Sequence, residues 1–169
     1  MKQLLLLSLI LGFALNVSAQ KIKSREFDKF TKVETTTTSK ETLYTRYFLG
    51  MTLDKRFKFY IRRDGNTGYT IFAEILNCVC EKYDEHSGIK FLLSNGEVVD
   101  LPTRYTGISK PINNEWVFST AFLLNEEDVL KLRKEDIEEV RITTIDSYYD
   151  IKLKDSKKDL IRRMLLLFE

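Results

Sequence analysis

The chain has 169 residues, of which 43% are hydrophobic, 12% aromatic and 31% charged, a composition that favours a packed globule over a disordered chain. Twenty-seven basic residues stand against 25 acidic ones, a formal net charge of +2, which lacks the positive excess of a dedicated nucleic-acid binder. Two cysteines make no disulfide framework and two prolines make no linker, so one domain with an ordinary hydrophobic core is expected.

The N-terminus has the three-part pattern of a secretory signal. Lys2 precedes LLLLSLILGFALNV, and Val17, Ser18 and Ala19 offer small residues for cleavage before Gln20. The apolar stretch is shorter than the ~20 residues a membrane span needs, and no cysteine marks a lipoprotein site. The expectation is a signal peptide over 1–19, a single domain over 20–169, and a periplasmic or secreted product without a membrane span. Cleavage removes one lysine and no acid, leaving a net charge of +1.

Residues 21–30 read as a loose polar start. TKVETTTTSKET is rich in β-branched threonine and predicts an early strand at a sheet edge, with Val33, Thr35 and Thr37 on one face. LYTRYFLGMTL is a second strand candidate, interrupted at Gly50. RFKFYIRR alternates: Phe57, Phe59 and Ile61 point one way, and Arg56, Lys58, Tyr60 and Arg62 the other. After a DGNTG turn, YTIFAEILNCVC is apolar on both faces, as a central strand requires. One face carries Tyr69, Ile71, Ala73 and Ile75; the other carries Thr70, Phe72, Glu74 and Leu76 and leads on to Cys78 and Cys80.

GIKFLLS and EVVDLP flank Asn95-Gly96, a hairpin signal that expects positive φ at both turn positions. TGISKPINNE reads as a loop, followed by the strand WVFSTAFLL with Trp116, Phe118, Phe122 and Leu124 on a face broken by Thr120. Asn125 and Asp128 resemble a capping box and predict a short helix that turns Val129, Leu130 and Leu132 inward. EEVRITTI and YYDIKLK pair through Asp146-Ser147. Ser156 and Asp159 repeat the capping pattern before a helix whose Leu160, Ile161, Met164, Leu165 and Phe168 form one apolar stripe. Strands in runs rather than alternating with helices argue for an α+β fold. The expected form is a mostly antiparallel sheet, curved or folded into a partial barrel, with one short helix and a C-terminal helix packed on the sheet.

NCVCEKYDEH holds both cysteines and the only histidine. In a regular strand Cys78 and Cys80 share a face with Cα atoms about 6.6 to 6.8 Å apart, at the upper edge of disulfide geometry. A strained, relatively oxidising Cys78–Cys80 bond and two reduced, partly buried thiols both remain open. Adding His86 gives a donor set suited to copper(I) or zinc, but without the second ligand pair of structural zinc motifs. The simpler reading is small apolar cysteines in a sheet. Asp64, Asn66 and Gly68 echo a calcium loop, yet the twelfth position is Ile75 rather than glutamate, and the same residues suit any tight turn.

The strongest surface feature is the cationic strand face of Arg56, Lys58, Tyr60 and Arg62. It suits a phosphate, a sulfated glycan, a lipid headgroup or an acidic protein, while the simpler reading is an ordinary solvated face or an edge strand blunted by charge. With one histidine and no G-x-S-x-G, H-E-x-x-H or phosphate-cradling glycine loop, catalytic patterns are thin. The leading expectation is a non-catalytic exported binding module for a protein or cell-envelope component, of which an inhibitor or immunity protein is one case; it requires no cofactor. A thiol or soft-metal site at Cys78, Cys80 and His86 is the first alternative, and a small hydrolase with scattered residues the second.

Overall fold

The computed structural model describes residues 20–45, 56–65, 68–76, 87–103, 108–112, 115–143, 145 and 148–169. The first sheet contains β1 (Ile22–Phe27), β2 (Glu34–Thr38), β3 (Glu41–Thr45), β4 (Arg56–Asp64), β5 (Gly68–Leu76), β8 (Ile108–Ile112) and β9 (Glu115–Leu124). Its order is β1-β2-β4-β5-β9-β8, with β3 also paired to β4. The second sheet has the order β11-β10-β6-β7, from β6 (Gly88–Leu93), β7 (Val98–Pro102), β10 (Ile137–Thr143) and β11 (Tyr148–Lys152). Helix α1 (Glu126–Lys134) leads from the first sheet to the second, and α2 (Asp155–Lys158) and α3 (Leu160–Leu166) follow the last strand.

The expected α+β class is what the chain adopts. Its strands divide between two antiparallel sheets, and neither closes into a barrel. The chain enters the second sheet at β6 and β7, returns to the first at β8 and β9, and α1 carries it back from β9 to β10. Alternation decides the rest. Phe57, Phe59 and Ile61 of β4 and Tyr69, Ile71, Ala73 and Ile75 of β5 are buried, and they join Ile89, Phe91, Val99, Leu101, Val140 and Ile142 of the second sheet in one apolar cluster. β5 is central, between β4 and β9.

Two segments read as irregular are strands. β1 pairs with β2, so the threonine-rich β2 is interior, not an edge. Burial falls on Thr36 and Thr38, the alternate set to the one named from sequence. β8 lies within the expected loop 106–115 and pairs with β9 at the far edge, the place in a sheet where Pro111 is tolerated. Both were misread because short polar edge strands lack an apolar face.

The Asn95-Gly96 hairpin forms with a different turn. Gly96 takes φ 86, but Asn95 is not left-handed. Leu93 N–H donates to Glu97 O (2.9 Å), Gly96 N–H to Leu93 O (2.9 Å) and Glu97 N–H to Asn95 Oδ1 (2.9 Å), a three-residue loop closed by a glycine bulge. At the other end of β6, a Cβ on Gly88 would stand 2.8 Å from Leu101 O, so only glycine lets β6 and β7 meet there.

The α1 cap forms as expected, with Asp128 N–H donating to Asn125 Oδ1 (2.8 Å). Val129 and Leu132 are buried, but Leu130 is 55% exposed. At 100° per residue, Leu130 lies about 200° from Leu132, and both cannot face the core. The second expected cap does not form. Ser156 is inside α2, no side chain caps either C-terminal helix, and Asp159 at the break between them pairs with Arg163 (2.9 Å). The apolar stripe survives the break: Leu160, Ile161, Met164, Leu165 and Phe168 are all buried. Arg63 Nη1 donates to Phe168 O (2.6 Å) and Arg133 Nη2 to Leu165 O (3.4 Å), so two side chains satisfy carbonyls at the end of α3.

Met164→Ala, at a fully buried site, should lower unfolding free energy by about 2 to 5 kcal/mol. Leu166→Ala on the exposed side of the same helix should cost under about 1 kcal/mol. Urea denaturation of the pair checks the docking of α3. The Thr120 hydroxyl is buried on β9 without a hydrogen-bond partner, so Thr120→Val should raise stability by about 1 kcal/mol in the same assay.

Candidate functional site

The outer face of β4 carries Lys58, Tyr60 and Arg62, as the alternation predicts. Arg56 begins the strand, paired with Thr45, but its side chain is outside the described residues. Across the ladder Lys58 faces Glu74, Tyr60 faces Phe72 and Arg62 faces Thr70. Tyr60 and Phe72 stack with ring centroids 4.7 Å apart and planes within 4°. This pair floors an open groove of ≈ 370 Å³, whose other walls come from β1, β2 and the β2–β3 junction. That volume is within the range of small-ligand clefts, about 300–1,000 Å³.

The junction shapes the groove. Between Thr37↔Arg62 and Glu41↔Phe59 there are three residues on one chain, Thr38, Ser39 and Lys40, against two on β4. This is a bulge, and it re-aims a side chain. The buried Thr38 hydroxyl accepts from Ile61 N–H (3.0 Å), replacing the backbone carbonyl that the bulge displaces. Lys40 is thrown onto the outer face, its Nζ 5.3 Å above the Tyr60 ring, and pairs with Glu74.

A second cation lies over the other ring. Arg62 Cζ is 5.3 Å from the Phe72 centroid, and its guanidinium holds Asp64 through Nε (3.1 Å) and Nη2 (2.9 Å). Asp64 also accepts from the Thr35 hydroxyl (2.8 Å). The turn acid that suggested calcium is therefore engaged in positioning Arg62. The Tyr60 phenol is pushed above its ordinary range, first by burial and then by the Glu74 carboxylate, with Arg62 opposing. It stays a neutral hydrogen-bond donor well into alkaline conditions.

Sequence reasoning missed Lys40 and Lys23 as members of this face. Lys40 reaches it only through a bulge, and Lys23 through a strand with no apolar signature. Phe72 was legible, on the outward phase of β5. Cys78, Cys80 and His86 are outside the described residues.

The second sheet presents a different outer surface. One cross-strand row runs Asp150, Arg141, Lys90, Asp100. Arg141 grips Asp150 through two bonds of 2.6 and 2.7 Å, and Lys90 pairs with Asp100. Each inner cation has its own acid on the neighbouring outer strand, so the row is neutral and solvated.

No family model, curated protein or solved structure matches the chain. Among the described residues, no helix is long and apolar enough to cross a membrane.

The raised Tyr60 pKa has a stability sign. The folded state holds this proton more tightly than the unfolded chain, so the contribution is complete below the ordinary phenol value of 10.0 and is lost as pH rises above it. Ultraviolet phenolate titration of the native protein should show a late-titrating tyrosine that Tyr60→Phe removes. A native titration curve that loses only ordinary amplitude in this variant would contradict the half-buried position of the phenol.

Proposed function

We propose that the protein is an exported, non-catalytic binding module that holds a protein or cell-envelope partner on the outer face of its larger sheet. The observation that carries this reading is the Tyr60–Phe72 stack with Lys40 above one ring and Arg62 above the other. Flat aromatic surface supplies contact area at little entropic cost, and guanidinium and ammonium groups supply recognition of carboxylate or phosphate. Both cations are already held in place by Glu74 and Asp64, so little ordering remains to be done on binding. A partner bearing anionic groups would exchange with these acids for the cations. An inhibitor or immunity protein fits such a face, since either acts by occupancy rather than by chemistry.

The address rests on Lys2, the apolar run after it and the small residues Val17 to Ala19. Material from the periplasm or medium should begin at Gln20 by intact mass. A product retaining Met1 would remove the export half of the proposal.

For binding, affinity capture from envelope extract with quantitative mass spectrometry compares three forms. Lys40→Glu/Arg62→Glu and Phe72→Ala should each reduce partner recovery by about 30-fold or more, the scale of losing an interface hot spot. Lys152→Glu, exposed on the other sheet, should leave recovery unchanged. Equal recovery by all three forms would clear the groove of the role.

A further inference from the structure

The hairpin between β1 and β2 ends in a tip that the groove does not use. Residues 27–32 are exposed without a break, and among them Phe27 is 64% and Phe30 85% accessible. Two bare phenylalanines on a convex turn call for an explanation, because exposed apolar clusters mark contact sites. The tip is also rigid. Asp28 N–H donates to Val33 O (3.0 Å) and Lys32 N–H to Asp28 O (2.8 Å). Asp28 Oδ1 accepts from the N–H groups of Phe30 (2.8 Å) and Thr31 (3.2 Å), and these bonds hold its carboxyl below the usual range.

Lys29 and Lys32 are exposed in the same turn, with Lys29 Nζ 5.1 Å from the Phe30 centroid. Lys32 is the only non-glycine at positive φ among the described residues, at 59°. Glycine or asparagine would occupy that position with less strain. A lysine there places a cation in the turn at a conformational cost. The acids Glu26 and Glu34 lie behind the tip on the paired strands, opposite Thr35 and Phe27, and Asp28 turns its carboxylate onto the backbone.

We propose that this tip is a membrane-surface anchor, which seats Phe27 and Phe30 at the headgroup boundary of an anionic bilayer while Lys29 and Lys32 meet lipid phosphates. A convex element presents its rings outward to a deformable surface and needs no matching cavity. The pairing of shallow apolar insertion with adjacent basic charge is what reversible interfacial binding requires. The site is separate from the groove and stands or falls without it.

The test uses the full chain with Phe30→Trp in a Trp116→Phe background, mixed with vesicles of phosphatidylcholine alone or with equal phosphatidylglycerol. Phosphatidylglycerol vesicles should shift the emission to the blue, and brominated acyl chains should quench it. Phosphatidylcholine alone or high salt should abolish both effects. In co-sedimentation of the natural sequence, Lys29→Glu/Lys32→Glu should weaken binding about 30-fold or more, from roughly fivefold per basic residue. Phe27→Ser/Phe30→Ser should weaken it about tenfold or more. An emission spectrum unchanged by phosphatidylglycerol vesicles would overturn the proposal, whatever the rest of the chain does on lipid. So would retention of full binding by both double variants.

Discussion

The β4–β5 ladder fixes both the interior and the candidate binding face. Its register runs unbroken through eight pairs, from Phe57↔Ile75 to Asp64↔Gly68. Odd-numbered residues of both strands, from Phe57 to Ile61 and from Tyr69 to Ile75, enter the core, and even-numbered ones face out. A slip of one residue would bury Lys58, Tyr60 and Arg62 and expose three large side chains, so register is enforced by the full burial energy of the inner face. The groove inherits that precision. Tyr60 and Phe72 stack because they are opposite one another in a register that other residues determine.

The charges on the outer face do a different job. Exposed or half-exposed ion pairs contribute about 0 to 1 kcal/mol each, so Arg62–Asp64 and Lys40–Glu74 do not hold the sheet together. What they fix is geometry. Thr35 donates to one oxygen of Asp64 and Arg62 to the other, which fixes the guanidinium, and Glu74 keeps Lys40 across the Tyr60 ring. The second sheet makes the contrast clear. Its Asp150–Arg141 and Lys90–Asp100 pairs are just as well formed, and there Arg141 lies over one ring, Tyr148 (4.7 Å), where the first sheet sets two cations over two stacked rings.

Burial made the fold legible where it was strong. β4, β5, β9 and the C-terminal stripe could be read from alternation or helical spacing because each must hide a continuous apolar face. The same logic failed at β1 and β8, edge strands whose ladder bonds leave little hydrophobic trace. It failed too at Leu130, where an apolar residue was counted without its angle around the helix. The groove was half legible. Its floor follows from period-two alternation, but Lys40 depends on a bulge at which a hydroxyl, Thr38, takes the place of a carbonyl. No local pattern announces such a replacement. The split into two sheets is a question of which distant strands pair, and the spacing of apolar residues does not encode it.

The β1–β2 hairpin links these surfaces, since it supplies one wall of the groove and ends in the phenylalanine tip. Little of β1 is buried, so its order must come from hydrogen bonds rather than from packing. Those bonds are placed at both ends. Near the tip, Gly65 N–H donates to Glu34 O (2.8 Å), tying β2 to the turn after β4, where Gly65 itself is left-handed. At the base, Ser39 N–H donates to Lys21 O (2.8 Å), and Arg163 Nη1 donates to Gln20 Oε1 (2.9 Å) from the docked C-terminal helix. A hairpin held in this way can present exposed rings and a groove wall in fixed positions without burying either. Its stiffness is borrowed from the core at two points, which leaves its whole outer surface free for contact.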